Sequence, residues 1–158
     1  MNAAVQQREN QFNRWVTFRL ADEIYGINVM QVQEVLRMTE IAPVPGAPSC
    51  VLGIINLRGN VVTVVDAREL FGLSRNDNTD QTRIMIVEIN KLIVGLLVDS
   101  VAEVVNIQNS DIDSAPSIGN EDSSRYIQGV YSKSGEILIL VDLNRLMGAD
   151  AQFITGGF

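Results

Sequence analysis

The chain repeats one pattern of residues, and this repeat constrains the fold more than any other feature of the sequence. Residues 53–72 match residues 129–148 at an offset of 76, and residues 14–35 match residues 83–104 at an offset of 69, with no gap in either alignment. The matched positions include Gly53 on Gly129, Gly59 on Gly135, Asp66 on Asp142, Gly26 on Gly95 and Glu34 on Glu103. A repeat of this length indicates two structural units of the same kind.

The aliphatic composition indicates that both units are rich in β-structure. The chain has 19 Val and 16 Ile against 13 Leu, and stiff β-branched side chains favour strands. Each unit supplies about five short strands, although residues 30–38 fit either a short helix or a strand. A small five-stranded sheet tends to close on itself, because closure removes exposed edges. We therefore predict a mostly β protein with two small five-stranded barrels packed side by side, a cleft between them and a few short helices.

The repeat also predicts the organisation of the chain. We expect one domain over residues 14–150, after a disordered lead-in at residues 1–13 and before a short tail at residues 151–158. The first repeat covers about residues 14–73 and the second about residues 83–148. The sequence leaves open whether each barrel is built from one repeat or whether the repeats exchange strands. Asp66 and Asp142 each precede a predicted short helix, where an aspartate is expected to cap the helix.

Missing residue types exclude several classes of function. The chain has no His and a single Cys, which leaves no imidazole base, no catalytic Cys–His pair, no thiolate zinc site and no internal disulfide. The net charge of −7 argues against nucleic-acid binding, and the apolar runs are far too short to span a membrane. We expect a cytoplasmic protein that is not an enzyme, needs no cofactor or metal, binds no nucleic acid and does not insert into the membrane.

Three segments of the chain resemble one known family. They are Gly53–Gly59 (GIINLRG), followed by a β-branched strand into Val65–Arg68; Phe18–Arg37, with its Tyr-Gly-Ile and Val-Gln-Glu-Val spacing; and Gly95–Val101 (GLLVDSV). Together they resemble the CheW family over residues 14–148. The resemblance implies two SH3-like barrels in a non-enzymatic chemotaxis adaptor. Such an adaptor couples the cytoplasmic tips of methyl-accepting chemoreceptors to the regulatory domain of a CheA-type histidine kinase, in membrane-associated receptor arrays.

The candidate site surrounds the predicted turn at residues 56–59. The candidate receptor-binding residues are Val32, Gly53, Asn56, Leu57 and Arg58, with Glu34 and Gly59 as structural support. Arg58 at the turn tip is the first candidate contact, because a planar guanidinium makes several oriented hydrogen bonds at interfaces. The alternative is an internal ion pair between Arg58 and Glu34, and the two roles can coexist. In the second repeat the position equivalent to Glu34 is Glu103, but the position equivalent to Arg58 is Ser134. The absence of an arginine there favours a role specific to the first repeat.

Other readings of the same residues stay open. The resemblance places Val32 and Gly53 in the receptor-facing region, but Val32 fits an apolar core stripe and Gly53 fits a strand bend, since a glycine recurs at Gly129. The proline-rich segment Ile41–Pro48 is either a partner surface or a plug for the end of a barrel. Two other functions remain as alternatives: a coupling protein of a non-flagellar chemosensory pathway, and a sensor that holds a small metabolite in a cleft between the barrels.

Overall fold

The computed structural model describes residues 12–74, 77–114 and 126–146, and strands dominate these residues. The strands are β1 (Phe12–Leu20), β2 (Glu23–Asn28), β3 (Val32–Arg37), β4 (Val51–Leu57), β5 (Asn60–Asp66), β6 (Arg83–Ile89), β7 (Leu92–Val98), β8 (Ser100–Gln108), β9 (Ile127–Lys133) and β10 (Glu136–Val141). The helices are α1 (Ala67–Leu70) and α2 (Leu143–Leu146), and single 3-10 turns lie at Val29–Gln31 and Asn109–Asp111. No helix within the described ranges is long and apolar enough to cross a membrane.

The segment that fitted either a helix or a strand is mostly strand. A 3-10 turn at Val29–Gln31 leads directly into β3, along which partly buried and exposed residues alternate. This period of two is the pattern of a strand with one face turned inward. At the N-terminal end, Phe12 and Asn13 pair with β8, although the sequence placed them in the lead-in. The rest of the lead-in and the tail at residues 151–158 lie outside the described residues.

The strands form two five-stranded sheets, which confirms the predicted fold class. The sheet with the order β3-β6-β7-β5-β4 is continuous in sequence, and we call it the central barrel. The sheet with the order β8-β1-β2-β10-β9 uses both ends of the described chain, and we call it the terminal barrel. Each barrel therefore combines strands of both repeats. The exchange runs through two parallel pairs, β2 with β10 and β5 with β7, whereas the other neighbours are antiparallel.

Three apolar clusters hold the barrels together, one inside each barrel and a larger one between them. Strand β6 shows the arrangement: Ile84 and Ile86 point into the central barrel, whereas Met85, Val87 and Ile89 belong to the shared layer. Successive strand residues point to opposite faces, so both faces of β6 are buried. The interior of the terminal barrel contains Trp15, Ile107, Leu138 and Leu140. The shared layer fills the space at which the sequence predicted a cleft.

The two short helices begin at aspartates, as predicted. Asp66 Oδ1 accepts the backbone N–H of Arg68 at 2.9 Å, and Asp142 Oδ1 accepts the backbone N–H of Asn144 at 3.0 Å. Each bond satisfies one of the N–H groups that a helix leaves unpaired in its first turn. The capping prediction is therefore confirmed at both repeat-equivalent positions.

Candidate functional site

The β4–β5 turn presents the candidate site at one end of the central barrel. The backbone N–H of Gly59 donates to Asn56 Oδ1 at 2.8 Å, which fixes the turn from within. Arg58 and Gly59 both have positive φ, 52° and 86°. Glycine adopts this conformation at little cost, whereas for arginine it is uncommon. Leu57 is partly buried against the central-barrel core, so the turn is anchored by one apolar side chain and presents Arg58 outward.

Arg58 forms an ion pair with Glu34 across the mouth of the central barrel. Arg58 Nη1 donates to Glu34 Oε1 at 3.1 Å, and Nη2 donates to Oε2. Strands β3 and β4 are the two edges of the central sheet, so the pair joins one edge to the turn that follows the other. The internal pair that the sequence offered as an alternative is therefore present.

The ion pair leaves much of Arg58 available to a partner. Its side chain is 69% exposed, against 27% for Glu34. A guanidinium has five N–H donors, of which Glu34 accepts two. The hydrogen bond and charge of Arg58 hold the pKa of the Glu34 carboxyl below its ordinary value, and Glu34 in turn raises the pKa of Arg58. Both groups therefore stay charged at neutral pH.

Gly53 lies earlier in β4 than Asn56 and Leu57 do, and Val32 lies at the start of β3. Gly53 is buried in β4 with φ of +150°, and a Cβ added there would overlap the carbonyl of Ala42. The loop after β3 lies against this strand, because Ala42 and Ile54 exchange two backbone hydrogen bonds of 2.9 Å. Val32 is partly buried and packs against the shared layer. Both residues thus have a structural part in the central barrel.

The proline-rich loop closes one side of the central barrel. Ile41 packs against the central-barrel core, and Ala42 bridges to Ile54 of β4. The second repeat has the same device, because Asp113 bridges to Val130 of β9. These contacts are those of the plug that the sequence offered as one reading of Ile41–Pro48.

A buried charge cluster around Arg68 of α1 was not predicted from the sequence. Arg68 is 2% exposed and pairs with Asp66, itself fully buried, through Nε at 3.0 Å, and with Asp99 through Nη1 at 3.0 Å. Burial disfavours the charge on Arg68, but its hydrogen bonds and charge interactions with Asp66 and Asp99 outweigh this and raise its pKa. One difference between the repeats could have indicated the cluster. The position of Arg68 is occupied by Asn144 in the second repeat, so this arginine is specific to the first repeat.

The chemistry available at the β4–β5 turn is that of an exposed cation next to apolar residues. The described residues contain no group of three or more His, Cys, Asp or Glu side chains that could hold a metal ion. Arg58 offers a fixed cation at an exposed turn, and this arrangement suits recognition of a partner protein.

Comparison with known proteins identifies the family. The model of the CheW-like domain matches residues 14–151. The chain is 31% identical over 150 residues to the chemotaxis protein CheW of Rhizobium meliloti (strain 1021), covering 95% of this chain and 97% of that protein. It is 30% identical over 138 residues to the chemotaxis protein CheW of Bacillus subtilis (strain 168), covering 87% and 88%.

A solved structure agrees with the sequence comparisons. The crystal structure of the scaffolding protein TtCheW from Thermoanaerobacter tengcongensis superimposes with a TM-score of 0.79 at 32% identity, covering 87% of this chain and 94% of that chain. The relatives named by sequence are chemotaxis proteins, and the solved structure is that of a scaffolding protein with a similar fold. The chain belongs to the CheW family of chemotaxis scaffold proteins.

Proposed function

We propose that this chain is a cytoplasmic, non-enzymatic adaptor that couples chemoreceptors to a CheA-type histidine kinase. The β4–β5 turn contacts the cytoplasmic tip of a receptor, with Arg58 at the centre of the contact and Asn56 and Leu57 beside it. Another face of the two barrels docks on the regulatory domain of the kinase. The observation that carries this proposal is an exposed arginine held in one orientation by Glu34, at a turn whose repeat equivalent has Ser134.

Preorganisation is the physical reason to assign the contact to Arg58. A free arginine side chain loses rotamer entropy when a partner immobilises it. The Glu34 carboxylate already fixes two of the five N–H donors, so the partner meets a guanidinium whose direction is set. Val32 and Gly53 support this surface from behind, Val32 at the start of β3 and Gly53 through the approach of Ala42.

The adaptor needs contacts that differ between two signalling states. A ligand or partner shifts a conformational equilibrium only by its differential affinity for the two conformations. Modest interfaces, at or below about 1,600 Å² in total each, remain reversible, and several of them acting together give a stable array. The chain transmits the receptor state by stabilising one kinase assembly over the other.

The test is a binding assay with two purified partners, a receptor cytoplasmic fragment and the kinase regulatory domain. We expect wild-type protein to bind both. Arg58→Glu should weaken receptor binding at least tenfold, because it removes a candidate hot-spot cation and introduces a like charge beside Glu34. Binding to the kinase domain should stay within about twofold, since that face is separate. Failure of the wild-type protein to bind either partner would refute the proposal.

Two further variants separate a direct contact from a bracing role. Ser134→Glu places the same new charge at the equivalent turn of the second repeat, where φ is also 52°, and should leave receptor binding unchanged. The double swap Glu34→Arg with Arg58→Glu restores the ion pair but moves the cation to β3. We expect the swap not to recover receptor binding, and full recovery would assign Arg58 to bracing alone.

A further inference from the structure

A groove of about 300 Å³ opens in the terminal barrel, away from the Arg58 turn. It lies between β8 on one side and the β9–β10 hairpin on the other. Its apolar lining includes Ile24, Val105, Tyr131 and Leu138. With about 30 Å³ per water in the liquid, such a volume holds a ligand of roughly ten non-hydrogen atoms. Small-molecule sites are typically concave, largely apolar and fitted with a few polar groups.

Comparison of the two repeats explains why the groove is open. The positions of Thr17, Val105 and Ser134 correspond to Ile86, Leu36 and Arg58 in the central barrel. There Ile86 is fully buried in the barrel core, Leu36 packs against that core, and Arg58 reaches across to Glu34. Thr17, Val105 and Ser134 are each smaller than the counterpart in the central barrel. The barrel mouth that the ion pair closes in one unit is therefore left open in the other.

The wall of the groove is fixed by a hydrogen-bonded irregularity between β1 and β8. The register of these strands shifts between Val16 and Phe18. At this shift the Thr17 hydroxyl takes the place of a backbone partner for Glu103. It donates to the carbonyl of Glu103 at 2.8 Å and accepts the N–H of the same residue at 3.0 Å. The backbone of Glu103 is thereby satisfied, and its exposed side chain stands at the rim. The groove is thus preformed on this side.

The rim carries charges of both signs. Arg19 and Lys133 are the cations, Glu103 and Glu136 the anions, and all four side chains are exposed and line the groove. Within the part of the chain that the structure describes, none of the four forms an ion pair within 4.0 Å. Opposite charges left unpaired around one apolar opening complement a ligand that itself carries both charges.

We propose that this groove binds a small zwitterion with an apolar side chain, of the amino-acid class. The apolar part lies on Ile24, Val105, Tyr131 and Leu138, the ligand carboxylate faces Arg19 or Lys133, and the ligand ammonium faces Glu103 or Glu136. The site is separate from the receptor contact proposed above, because its residues belong to the terminal barrel and Arg58 belongs to the central barrel.

The fluorescence of Trp15 can be used to follow ligand binding in this groove. Trp15 is the only tryptophan, it is 1% exposed, and it packs in the terminal-barrel core beside the four apolar groove residues. Its indole N–H donates to no described residue. A ligand entering the groove changes the packing and the local field within the apolar cluster that contains Trp15. The fluorescence of Trp15 should therefore respond.

The experiment is a titration of the full chain with L-phenylalanine, with Trp15 excited at the red edge of its absorption. We expect saturable binding with Kd on the order of 1 mM or tighter, as suits roughly ten ligand atoms. Phenethylamine and 3-phenylpropionate, which keep one charge each, should bind at least fivefold more weakly. Equal binding of either analogue, or no saturable response to L-phenylalanine, would overturn the proposal.

Matched variants locate the binding. Ala102→Gln with Ser134→Arg installs the central-barrel residues at two exposed positions of the groove and should weaken binding at least tenfold. Lys133→Leu, which installs the counterpart of Leu57, should also weaken it. Gln33→Ala is the control in the central barrel and should have no effect. Amide chemical shifts should move at residues 102–106 and 131–137, and unchanged binding in the double variant, or shifts confined to other residues, would refute the site.

Discussion

Gly53 and Gly129 are equivalent in the repeat, and each lies beneath a loop that crosses an edge strand. At Gly53 an added Cβ would overlap the carbonyl of Ala42, whose carbon would be 2.8 Å away, and φ is +150°. At Gly129 the nearest atoms would be Ile112 Cγ2 at 2.5 Å and the Asp113 oxygen at 2.8 Å. Both sites meet a backbone carbonyl held by two hydrogen bonds. At Gly129, however, the closest atom is a side-chain methyl, which can move, and φ is not positive.

Gly53→Ala should therefore destabilise the protein more than Gly129→Ala does. We expect a loss of at least about 3 kcal/mol at Gly53, where strain and overlap add, and about 1–3 kcal/mol at Gly129. Urea unfolding of the two variants measures the difference. The reverse order would show that the loop at Ala42 yields more easily than its hydrogen bonds indicate. Loss of receptor binding by an unfolded Gly53→Ala variant would carry no information about a contact.

The Glu34–Arg58 pair should make part of the stability depend on pH. Arg58 lowers the pKa of Glu34 in the folded chain below its ordinary value of 4.5. A carboxyl with a depressed folded-state pKa contributes stability above its unfolded pKa and loses that contribution as the pH falls through the folded value. The stability difference between wild type and Arg58→Ala should thus be present at neutral pH and disappear in acid. Because Arg58 is exposed and Glu34 is partly exposed, salt should reduce this difference.

The pKa itself provides a second measurement. In Arg58→Ala the Glu34 carboxyl should titrate at its ordinary value, as followed by its side-chain carbon chemical shift in NMR. An unchanged Glu34 pKa in the variant would show that the ion pair is not populated in solution.

At the scale of elements, α1 and α2 are equivalent in the repeat, and each is hydrogen-bonded, directly or through one residue, to a different β-turn. Behind α1, Asp99 links Arg68 to the β1–β2 turn, because Asp99 Oδ2 accepts the N–H of Ala21 at 2.7 Å. At α2, Asn144 Oδ1 accepts the N–H of Asn90 in the β6–β7 turn at 3.0 Å. Ala21 and Asn90 are themselves repeat equivalents. The connection between helix and turn is thus made by a buried charge cluster at α1 and by a neutral side-chain amide at α2.

This difference predicts unequal costs when each connection is broken. Arg68→Met removes the arginine that pairs with buried Asp66, and removal of one partner of a buried ion pair costs about 3–5 kcal/mol. Asn144→Ala removes one exposed hydrogen bond and should cost at most about 1 kcal/mol. Urea unfolding at neutral pH measures both. A mild effect of Arg68→Met would show that Asp66 becomes neutral or hydrated when the arginine is absent.

Local elements were accessible from the sequence because their causes are local. The turn at Arg58-Gly59 and the caps at Asp66 and Asp142 each depend on residues close together in the chain. Residues 30–38 stayed ambiguous because Val32, Val35 and Leu36 fit both periods, and pairing with β6 decided for a strand. The Arg58–Glu34 pair was foreseen as one of two alternatives, whereas the Arg68 cluster was not, because Asp99 lies 31 residues from Arg68.

At the scale of the whole molecule, the exchange of strands could not be read from the residues. Strands β2 and β7 are repeat equivalents, and so are β5 and β10. Pairing β2 with β10 and β5 with β7, as observed, buries the same residue types as pairing β2 with β5 and β7 with β10. The choice depends on how short connections direct the chain from one strand to the next, and a duplicated sequence gives both arrangements similar side-chain contacts.

The exchange predicts that the two barrels unfold together. The central barrel is continuous in sequence, but one face of its sheet belongs to the shared layer, including Val65, Met85 and Val87. Exposure of this layer would cost about 25 cal/mol for each Å² of apolar surface, so neither barrel should persist without the other. Native-state hydrogen exchange should give β6 amides and β1 amides the same global opening free energy, coincident with the loss of Trp15 fluorescence in urea. Protection of the β6 amides after the β1 amides have exchanged would show that the central barrel is stable alone, and would make the shared layer an interface between two independent folding units.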